Sequence, residues 1–177
     1  PPQSTSLIRA VHLKNIDSDF DYDEVQLCHH NELTYLGLFM KQSIYKIDKN
    51  GVSSEFITSP DDNKKFRSMA ILNDKLFVLT ANWVLVYSLR GEQITPWQIN
   101  SYSLCSSIVT AGDKLVARCE PADLFVFDEE GNKLSTLSDV NWGYGDAVFP
   151  LDSKSIIVVN FDCDNVKRID IRTGEEL

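Results

Sequence analysis

The sequence predicts an all-β fold, a β-propeller with four visible four-stranded blades of about 40 residues each. Three observations carry this. Glycines that close polar turns fall at Gly51, Gly91, Gly131 and Gly174, in steps of 40, 40 and 43 residues. The residue ending the strand before each turn keeps the same rhythm, as Asp48, Ser88, Asp128 and Asp170. Between them, turn signals recur about every ten residues and separate short β-branched, aromatic and aliphatic runs, a pattern of strands and not of helices.

The elements follow in chain order, with strands A to D in each repeat. Residues 1–6, Pro1-Pro-Gln-Ser-Thr-Ser6, read as a linker. Leu7–Lys14 is strand-like but has no A, B or C strand before it. Blade 1 takes residues 24–60, with strands Glu24–His29, Leu33–Leu38, Ser43–Asp48 and Glu55–Thr58. Blade 2 takes 66–100, with Arg67–Leu72, Lys75–Thr80, Val84–Leu89 and Gln93–Ile99. Blade 3 takes 104–140, with Cys105–Thr110, Lys114–Cys119, Asp123–Asp128 and Lys133–Leu137. Blade 4 takes 146–177, with Asp146–Leu151, Ser155–Asn160 and Val166–Ile171, and lacks a D strand. Residues 7–14 stand where that strand belongs, just upstream of the first A strand. One terminus completing the blade begun by the other removes open sheet edges. The single domain is then a four-bladed ring fastened by 7–14, or part of a larger ring of six to eight blades. A homodimer, two copies building one larger ring, is a third arrangement.

Bulk properties narrow the function. The chain has 177 residues, enough for one domain with a real core, and 43% of them are hydrophobic. No run approaches the roughly 20 apolar residues that span a bilayer. The net charge of −9, from 26 acidic and 17 basic side chains, opposes a broad phosphate-binding surface. A basic protein or peptide is the more natural partner of an acidic surface. The four cysteines, Cys28, Cys105, Cys119 and Cys163, form no CxxC pair and no zinc spacing with the three histidines. With no Asn-x-Ser/Thr sequon either, the expectation is a reducing, cytoplasmic setting. Cys105 and Cys119 flank the Gly112-Asp113 turn and face each other across a hairpin. Two buried thiols are expected there, with a bond as the alternative.

The third and fourth repeats carry a family resemblance. Lys114-Leu-Val-Ala-Arg-Cys119 followed by Asp123-Leu-Phe-Val-Phe-Asp-Glu-Glu-Gly-Asn-Lys-Leu134 resembles NHL-type repeats. Asn165-Val-Lys-Arg-Ile-Asp170 is similar to the start of that family's third strand. The Asp that usually ends the second strand is absent, with Thr80, Glu120 and Phe161 near its place. What the resemblance implies is a binding platform for proteins or RNA, often at the C-terminal end of a tripartite-motif ubiquitin ligase.

In a propeller the D-to-A crossings and B-to-C loops share one face, and the short Gly turns share the other. The first face receives Asp17–Glu24, Pro60–Asp62, Glu120–Asp123, Asp139–Asp146 and Phe161–Asn165. Loops on a rigid scaffold are where binding residues concentrate. The candidate binding residues are Trp83, Asp139, Trp142, Tyr144, Asp162 and Asp164. A carboxylate pairs with a Lys or Arg of a partner, while a ring adds area and cation–π attraction. Asp17–Glu24 fails as a calcium loop, since its sixth position is Tyr22 and its twelfth Cys28. His29-His30 has no third ligand at useful spacing. No catalytic triad, phosphate loop, metal site or cofactor motif is visible. The expected function is a non-enzymatic protein-interaction module, the substrate-recognition part of a larger multidomain protein. The alternatives are a divalent-metal-dependent propeller hydrolase or lyase, and an RNA-binding NHL domain.

Overall fold

The computed structural model describes residues 25–59, 65–99, 104–120, 123–137, 147–160 and 165–177. Fifteen strands fill them. Blade 1 comprises β1 (Val25–His30), β2 (Leu33–Leu38), β3 (Ser43–Ile47) and β4 (Ser53–Thr58). Blade 2 comprises β5 (Ser68–Leu72), β6 (Lys75–Leu79), β7 (Trp83–Ser88) and β8 (Gln93–Gln98). Blade 3 comprises β9 (Cys105–Ala111), β10 (Lys114–Cys119), β11 (Asp123–Phe127) and β12 (Lys133–Leu137). Blade 4 comprises β13 (Ala147–Pro150), β14 (Ser155–Asn160) and β15 (Asn165–Asp170). Each blade is an antiparallel meander in chain order, and the four are arranged as a four-bladed β-propeller. The boundaries lie within two residues of those the sequence predicts.

The turns explain why. At Asp128, Oδ1 accepts the backbone N–H groups of Glu130 (3.1 Å) and Asn132 (2.8 Å). Asp48 does the same for Asn50 and Val52, Ser88 Oγ for Arg90 and Glu92, and Asp170 for Arg172 and Thr173. One oxygen thus caps the C-to-D turn in all four repeats. The glycine that follows lies at positive φ, 85° at Gly131. A Cβ there would come within 2.4 Å of the Trp97 ring, so both the backbone and the neighbouring blade require glycine. The A-to-B turns of blades 1 to 3 are two-residue hairpins, and in blade 2 Asn73 and Asp74 are both at positive φ.

The core lies between blades, because each inner strand sends alternate side chains to opposite neighbours. Tyr35, Phe39 and Ile44 of blade 1 meet Phe66, Met69 and Val78 of blade 2. Phe77, Leu79 and Val86 of blade 2 meet Ile108, Leu115 and Phe127 of blade 3. Val109, Val116 and Leu124 of blade 3 meet Val148, Ile156 and Val158 of blade 4. Polar side chains fasten the same seams. Gln26 Nε2 donates to the Met69 carbonyl (2.9 Å) and Gln26 Oε1 accepts the Met69 N–H (2.8 Å). One blade on, Ser68 Oγ accepts the Ile108 N–H at 3.0 Å, and Thr110 Oγ1 donates to the Ile71 carbonyl at 2.8 Å. Strands β1, β5, β9 and β13 touch in succession, but no comparable contact joins β13 back to β1.

Two features depart from the sequence reading. The thiols expected at Cys105 and Cys119 are joined in a disulfide between paired positions of β9 and β10. Close cross-strand pairing supplies the proximity, and spacing alone could not say that the bond forms. Blade 4 also begins a fourth strand after its Gly174 turn. Glu176 bridges Ile169, and the Leu177 N–H donates to the Arg168 carbonyl at 2.9 Å. The closing strand expected at 7–14 lies outside the described residues.

Candidate functional site

The inner strands of all four blades run to one concavity of about 730 Å³. It opens where the D-to-A crossings enter the inner strands. Gln26 stands at the start of β1, Ser68 at the start of β5, Ser106 and Ser107 on β9, and Ala147 and Phe149 on β13. Gln42, in the loop between β2 and β3, and Lys65, Arg67 and Arg118 complete the polar part of its wall.

Loop-to-crossing hydrogen bonds hold this face. In blade 1 the Ser59 N–H donates to the Gln42 carbonyl (2.8 Å), and the Phe66 N–H donates to Gln42 Oε1 (2.5 Å). Gln42 takes a positive φ of 54° to do this. In blade 2 the Ile99 N–H donates to Asn82 and the Cys105 N–H to Ala81, at 2.9 and 2.8 Å. In blade 3 the Glu120 N–H donates to the Leu104 carbonyl at 2.9 Å. The B-to-C loops of blades 1 and 2 are therefore strapped to the crossing that leaves their own blade, and that of blade 3 to the crossing that enters it, so this part of the rim is built on fixed backbone.

All charged side chains lining the concavity among the described residues are cationic: Lys65, Arg67 and Arg118. Arg118 is buried, and its Nη1 donates to Ser106 Oγ at 3.2 Å. Ser107 Oγ, in the same wall, is buried without a hydrogen-bond partner, as is Asn165 Oδ1 at the start of β15. A buried polar atom without a partner calls for a water or a ligand group to satisfy it.

The predicted residues divide sharply. Trp83 is half-buried at the start of β7, where its N–H meets Thr80 Oγ1 at 3.2 Å, and it does not line the concavity. Asp139, Trp142, Tyr144, Asp162 and Asp164 lie outside the described residues, as does Asp17–Glu24. Sequence reasoning missed Gln26, Gln42, Ser107 and Arg118. For Arg118 a signal existed: a lone charge in the apolar run Leu115–Cys119. His29 and His30, at the end of β1 on the opposite face, meet Thr34 and, at 2.6 Å, Asp74.

No family model matches the sequence, and no curated protein matches it. Solved structures do match. A catalytically inactive virginiamycin B lyase from Staphylococcus aureus aligns with TM-score 0.70 and 15% identity, over 90% of this chain and 56% of that one. BamB from Moraxella catarrhalis aligns with TM-score 0.63 and 13% identity, over 89% and 48%. The Neurospora crassa Pan2 WD40 domain aligns with TM-score 0.58 and 12% identity, over 86% and 50%. The chain has the β-propeller fold. It spans about half the length of the structures it matches. A lyase and a WD40 domain share this fold, so the likeness assigns architecture and leaves activity to the site.

Proposed function

We propose that the chain is a non-enzymatic interaction module that takes a segment of a partner protein on its loop face. The observation that carries this is the concavity itself, where the inner strands of four rigid blades converge behind strapped loops. A pre-organised receptor binds an extended segment with little ordering cost of its own. In this proposal Asp139, Asp162 and Asp164 pair with basic side chains of the partner, and Trp83, Trp142 and Tyr144 supply ring area. An NHL-like platform that recognises substrate within a larger multidomain protein has the same requirements. The test is a titration of labelled Lys/Arg-rich peptides by fluorescence anisotropy. Binding is expected to weaken with salt and to be lost on replacing Asp139, Asp162 and Asp164 by Lys. Unchanged binding by that triple variant would defeat the assignment of the face.

The cationic lining favours a second reading, in which an anionic group of the partner enters the concavity. Lys65→Gln with Arg67→Gln should then weaken an acidic peptide and spare a basic one. The metal-dependent enzyme alternative makes a different demand. Calcium should raise the thermal midpoint and EDTA should reverse the rise.

A further inference from the structure

We infer that the concavity seats an acidic segment of a partner protein in which a carboxylate stands beside an apolar side chain. Such a segment is one form of the anionic group in the second reading above, on which it depends. The described wall has two unlike halves. Blades 2 and 3 supply the charge, with Lys65 and Arg67 either side of Phe66 just before β5, and Arg118 near the end of β10. Blades 4 and 1 supply the apolar half, with Phe149 on β13, Val25 at the start of β1 and Met40 in the loop after β2. These three are 50%, 49% and 64% exposed, so the apolar half meets solvent. A hydrophobic side chain laid against it takes apolar surface out of water.

A local irregularity shapes the cationic half. Ser107 pairs with Arg118 and Cys105 with Cys119, so Ser106 is the extra residue of a β-bulge. A bulge re-aims a side chain, and here Ser106 Oγ accepts the bond from Arg118 Nη1 that orients the guanidinium in the wall. Arg118 is 9% exposed, and a charge so placed is screened less than one in open water. Lys65 and Arg67 are exposed and make no ion pair among the described residues. Three cations and no described anion surround one hollow in a chain of net charge −9. A planar carboxylate matches the fork of an Arg. The half-exposed rim leaves the hollow open, which suits a segment that continues outwards more than a small molecule, which pockets bury on most sides. A nucleic acid continuing outwards would carry its phosphates over an acidic protein, whereas a peptide brings a single carboxylate.

Fluorescence anisotropy with short labelled peptides tests this. The peptides contain no Lys or Arg, so pairing with acidic loops plays no part. One carries a Glu-Leu pair among Gly and Ser, a second Gln-Leu and a third Glu-Ser, and an oligouridylate of equal length is the fourth probe. The Glu-Leu peptide is expected to bind about tenfold more tightly than either of the other peptides. Met40→Ser with Phe149→Ser should erase its advantage over Glu-Ser, and Lys65→Gln with Arg67→Gln its advantage over Gln-Leu. All four positions are exposed, so the far-ultraviolet circular dichroism should be kept. Equal binding of Glu-Leu and Glu-Ser by the unmodified protein overturns the inference and leaves the anionic reading standing. Failure of both Glu peptides to bind overturns the two together. Tighter binding of the oligouridylate than of Glu-Leu overturns the inference in favour of a nucleic acid.

Discussion

The turn aspartates are the residues on which the repeat depends, and they make the fold sensitive to acid. The Arg172 side chain hydrogen-bonds Asp170, its backbone N–H adds a second bond, and together they hold the carboxyl at about 2. At Asp48 the Val52 and Asn50 N–H groups lower the carboxyl in the same direction. Asp128 is lowered too: desolvation opposes the shift, but the bonds from Asn132 and Glu130 outweigh it. A folded-state value below the unfolded one stabilises the protein above the ordinary aspartate range and is lost as pH falls towards the folded value. The thermal midpoint should therefore drop as pH falls from about 4 to about 2. Asp170→Asn should flatten that slope and lower stability at neutral pH. Blade 2 is a built-in control, because Ser88 caps the same turn with a group that does not titrate. Cys28 is a second residue-scale case. Burial pushes its thiol up to about 11, so roughly one in a thousand is ionised at pH 8. Iodoacetamide should leave Cys28 unmodified in the native protein and label it in urea, as peptide mass mapping would record.

At the scale of the element, the β9–β10 hairpin is stapled by Cys105–Cys119 inside the blade 2–blade 3 core. Closing so short a loop stabilises by about 2–3 kcal/mol. Replacing both cysteines by Ala should cost about that much in urea unfolding. Replacing Gly131 by Ala forces a side chain into Trp97 at positive φ and should cost about 1–3 kcal/mol in the same assay. The strands themselves were legible because their turns are spelled out. Asp48, Ser88, Asp128 and Asp170 each announce a corner three or four residues before the glycine that closes it. The disulfide was half legible, since the facing positions can be read from spacing but the bond cannot. The concavity was not legible at all. Its wall draws several residues from each of four blades, and no local pattern links Gln26 to Ser107 or Arg118. The aromatic and acidic loops were chosen for composition, and composition does not say which side chains converge.

The whole molecule is a four-bladed propeller in which each blade packs on its sequence neighbours. Stability in such an array is close to a sum of blade terms and nearest-neighbour seams. Blades 2 and 3 share a seam with both sequence neighbours, whereas among the described strands no inner-strand contact comparable to those seams joins β13 to β1. That asymmetry sets a pattern for deuterium uptake. In a lone chain, the amides of β5, β6, β9 and β10 should exchange slowest, and those of β1 and β13 through opening of the end blades alone. The protein would then unzip from its ends at a free energy below that of global unfolding.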